Sequence, residues 1–298
     1  AKAEQAAAPP AELPPFTTIP APERIVAIGD LHGDLSATRR ALRLAGAIDA
    51  KDAWVGGKLM IVQTGDLVDR GDDDRAILDL TERLKVDAKA AGGQFLGLVG
   101  NHEIMNAEFD FRYVTEGAYA KFGDITASGP VAKSRTANVE PKAVGRAVAF
   151  APGGPYAKML ADRPVVARVG DTVFVHGGVL PKHVRYGLDR AVKEVHDWLA
   201  GATAAAPSRT IMGEDGLLWT RMYSAAPSSE DCQMLAETLR LLAATRLVMG
   251  HTVQRGGISD ACGKTAYRID VGMSHAYQGP IEVLEIKGDA VTVLREPK

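Results

Sequence analysis

LMIVQTGDLVDRG, running from Leu59 to Gly71, changes character halfway along. Its first half is aliphatic and β-branched, the composition of a buried strand; its second half is a glycine-punctuated turn carrying Asp66, Asp69 and Arg70. The same change recurs along the chain. RIVAIG (Arg24–Gly29) runs into Asp30, His32 and Gly33, and FLGLVG (Phe95–Gly100) runs into Asn101, His102 and Glu103. TVFV (Thr172–Val175) runs into His176, Gly177 and Gly178, and RLVMG (Arg246–Gly250) runs into His251. A sixth apolar run lies near Tyr267–Val271. Helical periodicity over Leu35–Ala47 and Arg75–Ala91 separates the first three runs, so strands and helices alternate. That alternation predicts an α/β sandwich with largely parallel central β-sheets, mixed in part, flanked by helices.

In an open α/β sheet, ligands gather beyond the carboxyl ends of the strands. Five strand ends carrying Asp, Asn or His beside glycine therefore predict one convergent, metal-type site. Of the seven histidines, His32, His102, His176 and His251 occupy these strand ends, a poor fit to scattered structural histidines. His183 and His196 read as surface residues of a helical stretch, and His275 is left outside the set.

Composition narrows the function. The chain has 298 residues, 46% hydrophobic and 24% charged, enough for a sizeable core and ordinary for a globular protein. The net charge of −2 gives no electrostatic reason to bind nucleic acid or an anionic membrane, and no apolar run is long enough for a spanning helix. Residues 1–23 are rich in alanine and proline and read as a flexible tail; residues 24–298 read as one domain. Breaks fall near Ser128–Pro141, Ala151–Pro155 and Gly201–Ser208. The start at Ala1 and the Ala/Pro-rich beginning point to a periplasmic or exported protein, with a trimmed cytoplasmic protein as the alternative. Cys232 and Cys262 read either as one bridge, favoured if the protein is exported, or as two thiols.

The ordered set GDLHG, GDLVDRG, GNHE, HGG and GH, spanning residues 29–251, resembles the phosphoprotein phosphatase group of the calcineurin-like metallophosphoesterases. Within that group the chain is most similar to the Shewanella-like phosphatases, on FVHGGV (174–179), LWTR (218–221), VMGHT (248–252) and RIDVGMS (268–274). It departs from the eukaryotic Ser/Thr phosphatases, whose Ser-Ala-Pro-Asn-Tyr motif is replaced here by the stretch Asp270–Tyr277. The departure leaves the metal chemistry in place and bears on substrate preference.

The resemblance implies two divalent cations, with manganese first and iron or zinc as alternatives that the mixed imidazole and carboxylate donors also suit. It places Asp30, His32 and Asp66 on one ion and Asp66, Asn101, His176 and His251 on the other, with Asp66 bridging. A hydroxide between two such ions is the expected nucleophile. His102 becomes the general acid, oriented by Asp69, whose other reading is a turn or helix-capping carboxylate. Arg70 holds phosphate oxygens; Arg221 either joins it or makes a surface salt bridge. Glu103 is expected to support an arginine.

The implied activity is a phosphomonoesterase acting on phosphotyrosine or phosphoserine/threonine in protein, or on a small phosphomonoester. Two other readings are a nucleotide or dinucleoside polyphosphate hydrolase with the same two metals and a metal-bound scaffold without turnover. Residues from about 104 to 164 exceed an ordinary loop and read as a helical cap. The cluster Phe109, Phe111, Tyr113, Tyr119 and Phe122 either packs that cap or, through Phe111 or Tyr113, meets the leaving group.

Overall fold

A computed structural model describes residues 18–127, 133, 134 and 136–297. The Ala/Pro-rich residues 1–17 and part of the expected break near residues 128–141 lie outside the described residues.

The predicted strands form, with ends that differ from the expected ones by up to three residues: Phe95–Gly100 becomes Gln94–Gly97, and the run near Tyr267–Val271 becomes Ala266–Arg268. They are distributed over two mixed sheets. In one, β2 (Ile25–Ile28) runs parallel to β3 (Met60–Gln63), and β3 runs parallel to β4 (Gln94–Gly97). The antiparallel pair β10 (Glu282–Lys287) and β11 (Ala290–Arg295) extends this sheet beyond β2. In the other, β6 (Thr172–Val175), β7 (Arg246–Met249) and β9 (Ala266–Arg268) run parallel. The order there is β1-β5-β6-β7-β9-β8, with β5 (Val166–Val169) and β8 (Ser259–Ala261) antiparallel to their inner neighbours. β1 is Thr18–Ile19, inside the stretch read as tail, and it pairs parallel with β5 at the sheet edge.

The inner strands IVAI, TVFV and RLVM are buried at every position, as parallel strands covered on both faces must be. One continuous hydrophobic core includes residues of both sheets, among them Val26, Val62, Phe174 and Val248. The helix Leu35–Leu44 begins where the Asp34 carboxylate accepts the Ala37 N–H at 2.8 Å, an N-cap that fixes the turn after β2. The helix Asp74–Ala90 follows β3 and packs on β4.

Between β4 and β5 the regular elements among the described residues are helical, among them Asn101–Ala107, Glu116–Ala120, a 3₁₀ turn at Pro141–Ala143, Val144–Phe150 and Pro155–Ala161. Phe122, Phe150 and Tyr156 pack together there with ring centroids 5.2–5.9 Å apart. Cys232 and Cys262 are bonded, tying the helix Ser229–Leu241 to the turn after β8 across 30 residues of chain. Closing a loop of that length contributes roughly 3–4 kcal/mol in the chain-entropy picture. His183 is fully buried, against the expectation for a surface residue: its Nδ1 accepts the Leu180 N–H at 3.0 Å and caps the start of its own short helix.

Candidate active site

The carboxyl ends of β2, β3 and β4 meet those of β6 and β7, and the side chains singled out by the motifs converge there. Asp30, His32, Asp66, Asp69, Asn101, His102, His176 and His251 are all buried. The backbone is forced to bring them in. His32, Asp66, Asp69, Arg70 and His251 all have positive φ, between 47° and 70°, a left-handed conformation that non-glycine residues rarely hold. Glycine clears the approach: a Cβ on Gly100 would lie 2.2 Å from Asp66 Oδ1, and one on Gly250 would lie 2.3 Å from Asp30 Oδ1.

Three imidazoles are oriented alike. Nδ1 of His32 lies 3.2 Å from the Val68 carbonyl, Nδ1 of His176 lies 2.9 Å from the Thr64 carbonyl, and Nε2 of His251 lies 3.0 Å from the Trp219 carbonyl. A ring nitrogen facing a carbonyl oxygen donates its proton, so the other nitrogen of each neutral ring carries a lone pair into the site. His176 Nε2 then faces Asn101 Oδ1 at 2.8 Å, His251 Nδ1 at 3.1 Å and Asp66 Oδ2 at 3.3 Å. Lone pairs crowded this closely repel unless a cation lies among them, and outer N–H groups on carbonyls are the usual way to aim imidazole ligands. Potential ligand atoms of His32, Asp66 and His102 lie within 4.8 Å of one another, as do those of Asp66, His176 and His251. Asp66 is common to both groups. Asp30 Oδ2 is 3.9 Å from His32 Nε2, and the Asp30 carboxylate also accepts the His251 N–H. The donor set therefore fits divalent cations.

Electrostatics agree for His32 and His251 but not for His176, which burial would lower but Asp66 raises above its ordinary value. Burial, with the charges of Asp270 and Asp66, raises the Asp30 carboxyl well above its ordinary value. Burial pulls His32 down to about 4 and, with His176 and Arg221, pulls His251 down to about 2, so both rings stay neutral and free to ligate. Burial would raise Asp66, but His176 and His102 hold it well below the usual carboxylate range.

His102 faces both ways. Its Nδ1 is 2.7 Å from Asp69 Oδ2, and its Nε2 looks toward Asp66 Oδ2 at 3.8 Å. Burial lowers its pKa, but Asp66 and the Asp69 hydrogen bond outweigh that and raise it to about 9. Arg70 lies under two rings, its guanidinium carbon 4.2 Å from the Tyr113 centroid and 5.1 Å from that of Tyr277. The Tyr113 carbonyl accepts the Arg70 N–H at 2.9 Å. Arg70 Nε is buried without a hydrogen-bond partner among the described residues. A cleft of about 300 Å³ opens here, lined by His32, Arg70, Asp72, Asp73 and His275.

Other expectations meet a different geometry. Arg221 donates to the His251 carbonyl at 2.6 Å and to Thr252 Oγ1 at 2.9 Å, so it braces the His251 loop, and it forms no salt bridge among the described residues. Glu103 supports no arginine among the described residues; its carboxylate accepts the N–H groups of Asp66, Leu67 and Gly100 at 2.7–2.9 Å and pins two strand-end turns together. Of the aromatic cluster, Tyr113 reaches the site, 5.1 Å from the His102 ring, whereas Phe111 packs against Phe109 and Tyr119.

Sequence reasoning missed Asn106, Arg146, Asp74, Asp270 and Tyr277. Asn106 was within reach, since it lies one helical turn after His102 and donates to Asp69 Oδ1 at 2.9 Å. Asp270 follows β9, at the sixth strand end, and burial raises its carboxyl to about 6.

The family described as calcineurin-like phosphoesterase matches residues 23–255. The chain is 42% identical to Shewanella-like protein phosphatase 2 of Arabidopsis thaliana over 90% of its own length and 76% of that protein's. It is 27% identical to Shewanella-like protein phosphatase 1 of Plasmodium berghei over 92% of its length and 75% of that protein's. A solved cold-active protein-tyrosine phosphatase from a psychrophilic Shewanella species superposes with a TM-score of 0.70, covering 93% of this chain and 82% of that one, at 22% identity. At that identity the likeness establishes the fold.

Proposed function

The chain belongs to the calcineurin-like phosphoesterases and is a hydrolase of phosphoric esters; from that premise we propose that it is a protein phosphatase using two divalent cations that share Asp66. Asp30, His32 and Asp66 would hold one ion, and Asp66, Asn101, His176 and His251 the other. The observation that carries this reading is the set of three imidazoles gathered round the Asp66 carboxylate, with their outer nitrogens on carbonyls and the inner nitrogens of His176 and His251 facing each other. When bound, the ions would polarise the phosphoryl group and lower the pKa of an attacking water. The mixed nitrogen and oxygen donors suit manganese.

The remaining roles fall to side chains. Arg70, steadied between Tyr113 and Tyr277, binds phosphate oxygens through its planar fork. His102 gives the Nε2 proton to the leaving oxygen, and Asp69 holds Nδ1–H so that this tautomer and ring orientation persist. Arg221 keeps the His251 loop in place and acts beside Arg70 only if its guanidinium leaves the His251 carbonyl. The Tyr113 ring beside Arg70 and His102 favours an aryl leaving group, hence phosphotyrosine over phosphoserine or phosphothreonine. The Cys232–Cys262 bond supports an exported or periplasmic protein, since such bonds persist in oxidising compartments.

A panel of p-nitrophenyl phosphate, phosphotyrosine and phosphoserine peptides and a dinucleoside polyphosphate tests this directly. Expected is turnover of the first two, abolished by chelation and restored by Mn²⁺. Preferential cleavage of the dinucleoside polyphosphate would replace the protein-phosphatase reading.

A further inference from the structure

Arg146 is fully buried, and every arm of its guanidinium that has a partner meets the surroundings of one carboxylate. Its Nη2 lies 3.0 Å from Asp69 Oδ1 and 2.6 Å from Asp74 Oδ2, and its Nε donates to Asn106 Oδ1 at 2.6 Å. Asn106 in turn donates to Asp69 Oδ1 at 2.9 Å. Asp74 Oδ1 accepts the main-chain N–H of Asp69 at 3.0 Å, steadying a residue held at φ 70°. Phe122 and Phe150 lie 5.3 and 5.0 Å from the guanidinium carbon and exclude water from the cluster. Asp69 thus has one oxygen for His102 and one for Arg146 and Asn106, with its backbone secured through Asp74.

We propose that Arg146, supplied by the segment between β4 and β5, is a positioning residue for the general acid: it fixes the Asp69 carboxylate so that Oδ2 stays on His102 Nδ1 and Nε2 stays aimed at the leaving oxygen. The proposal rests on the phosphatase reading above. A residue that merely glued the inserted helices in place would more cheaply be apolar, because burying a guanidinium incurs a desolvation penalty. The charge here is spent on Asp69, Asn106 and Asp74, none of which belongs to the helix Val144–Phe150 that carries Arg146. Docking of that helix therefore completes the acid as well as the hydrophobic core.

The test compares aryl phosphates of rising leaving-group pKa across wild type, Arg146→Gln, Arg146→Lys, His102→Ala and the double variant His102→Ala/Arg146→Lys, with metal content measured for each. Arg146→Gln is expected to slow phenyl phosphate about ten- to a hundred-fold, the usual effect of losing an orienting partner, with 2,4-dinitrophenyl phosphate little changed. Arg146→Lys keeps the charge but cannot reach Asp69, Asp74 and Asn106 together, so it falls between, and it decides the matter if Arg146→Gln does not fold. In the His102→Ala background Arg146→Lys should cost nothing more. In metal-free protein, the His102 ring proton shared with Asp69 should give a protected downfield NMR resonance, weakened or lost in Arg146→Lys. Equal losses across the series, or a further loss in the His102→Ala background, overturn the proposal alone. Absence of leaving-group dependence in His102→Ala itself overturns the acid assignment and this proposal with it.

Discussion

The strand-end loops and the segment inserted between β4 and β5 build the site by different physics. Each strand-end side chain is placed by a sheet: its strand is hydrogen-bonded in register, the turns after β2, β3 and β7 are held at positive φ, and its polar atoms are tied to a neighbouring turn. Asp66 shows this best, with its N–H on Glu103, its Oδ1 on the His102 N–H and a glycine at 100 making room. The inserted segment brings Tyr113 and Arg146 on short helices and turns that rest on the sheets by packing and ion pairs. Such elements can change without disturbing the ligand cage. In the function proposed above, the cage would set which reaction is possible, and the insertion the acid's geometry and the shape of the leaving group.

That contrast is sharpest if strand-end changes act on every substrate and insertion changes act selectively. Asp66→Asn should give the largest effect, loss of both ions by elemental analysis and turnover of all substrates at background, because one carboxylate serves both groups of ligand atoms. Two ions still bound would break the account of a shared ligand. Next comes a pH effect in metal-free protein. His102 at about 9, above its ordinary 6.5, contributes stability that is fully present below about 6.5 and is lost as pH rises through 9. Asp69→Asn should move the NMR titration of His102 down and flatten that dependence, whereas an unmoved titration would detach the two residues. The smallest effect belongs to the insertion: Tyr113→Ala should slow an aryl phosphate about ten-fold relative to an alkyl phosphate, the worth of one aromatic contact. Equal losses on both would remove Tyr113 from leaving-group selection.

The same contrast explains what the sequence disclosed. Ligands at the ends of parallel strands are legible because apolar run, glycine and polar residue are contiguous, so Asp30, Asp66, Asn101, His176 and His251 could be placed together. The outer strands were harder. β10 breaks its apolar residues with Glu282, Glu285 and Lys287, β11 is a mixed run of Ala, Val, Thr and Leu ending in Arg295, and β1 is two residues beside prolines, tolerated because it pairs only at an edge. Arg146 carried no local signal at all: it sits in a short Val/Gly/Ala/Phe helix and acquires its partners, 40 and 77 residues away, only when the chain folds. His183 misled for the same reason, its burial being set by contacts outside its own helix, such as the Asp215 carbonyl.

Anomalous diffraction from crystals grown with Mn²⁺ tests the shared-ligand centre most directly. The account predicts two peaks on either side of the Asp66 carboxylate, one toward His32 and Asp30 and one toward Asn101, His176 and His251. A single peak, or peaks that leave Asp66 uncoordinated, would contradict it.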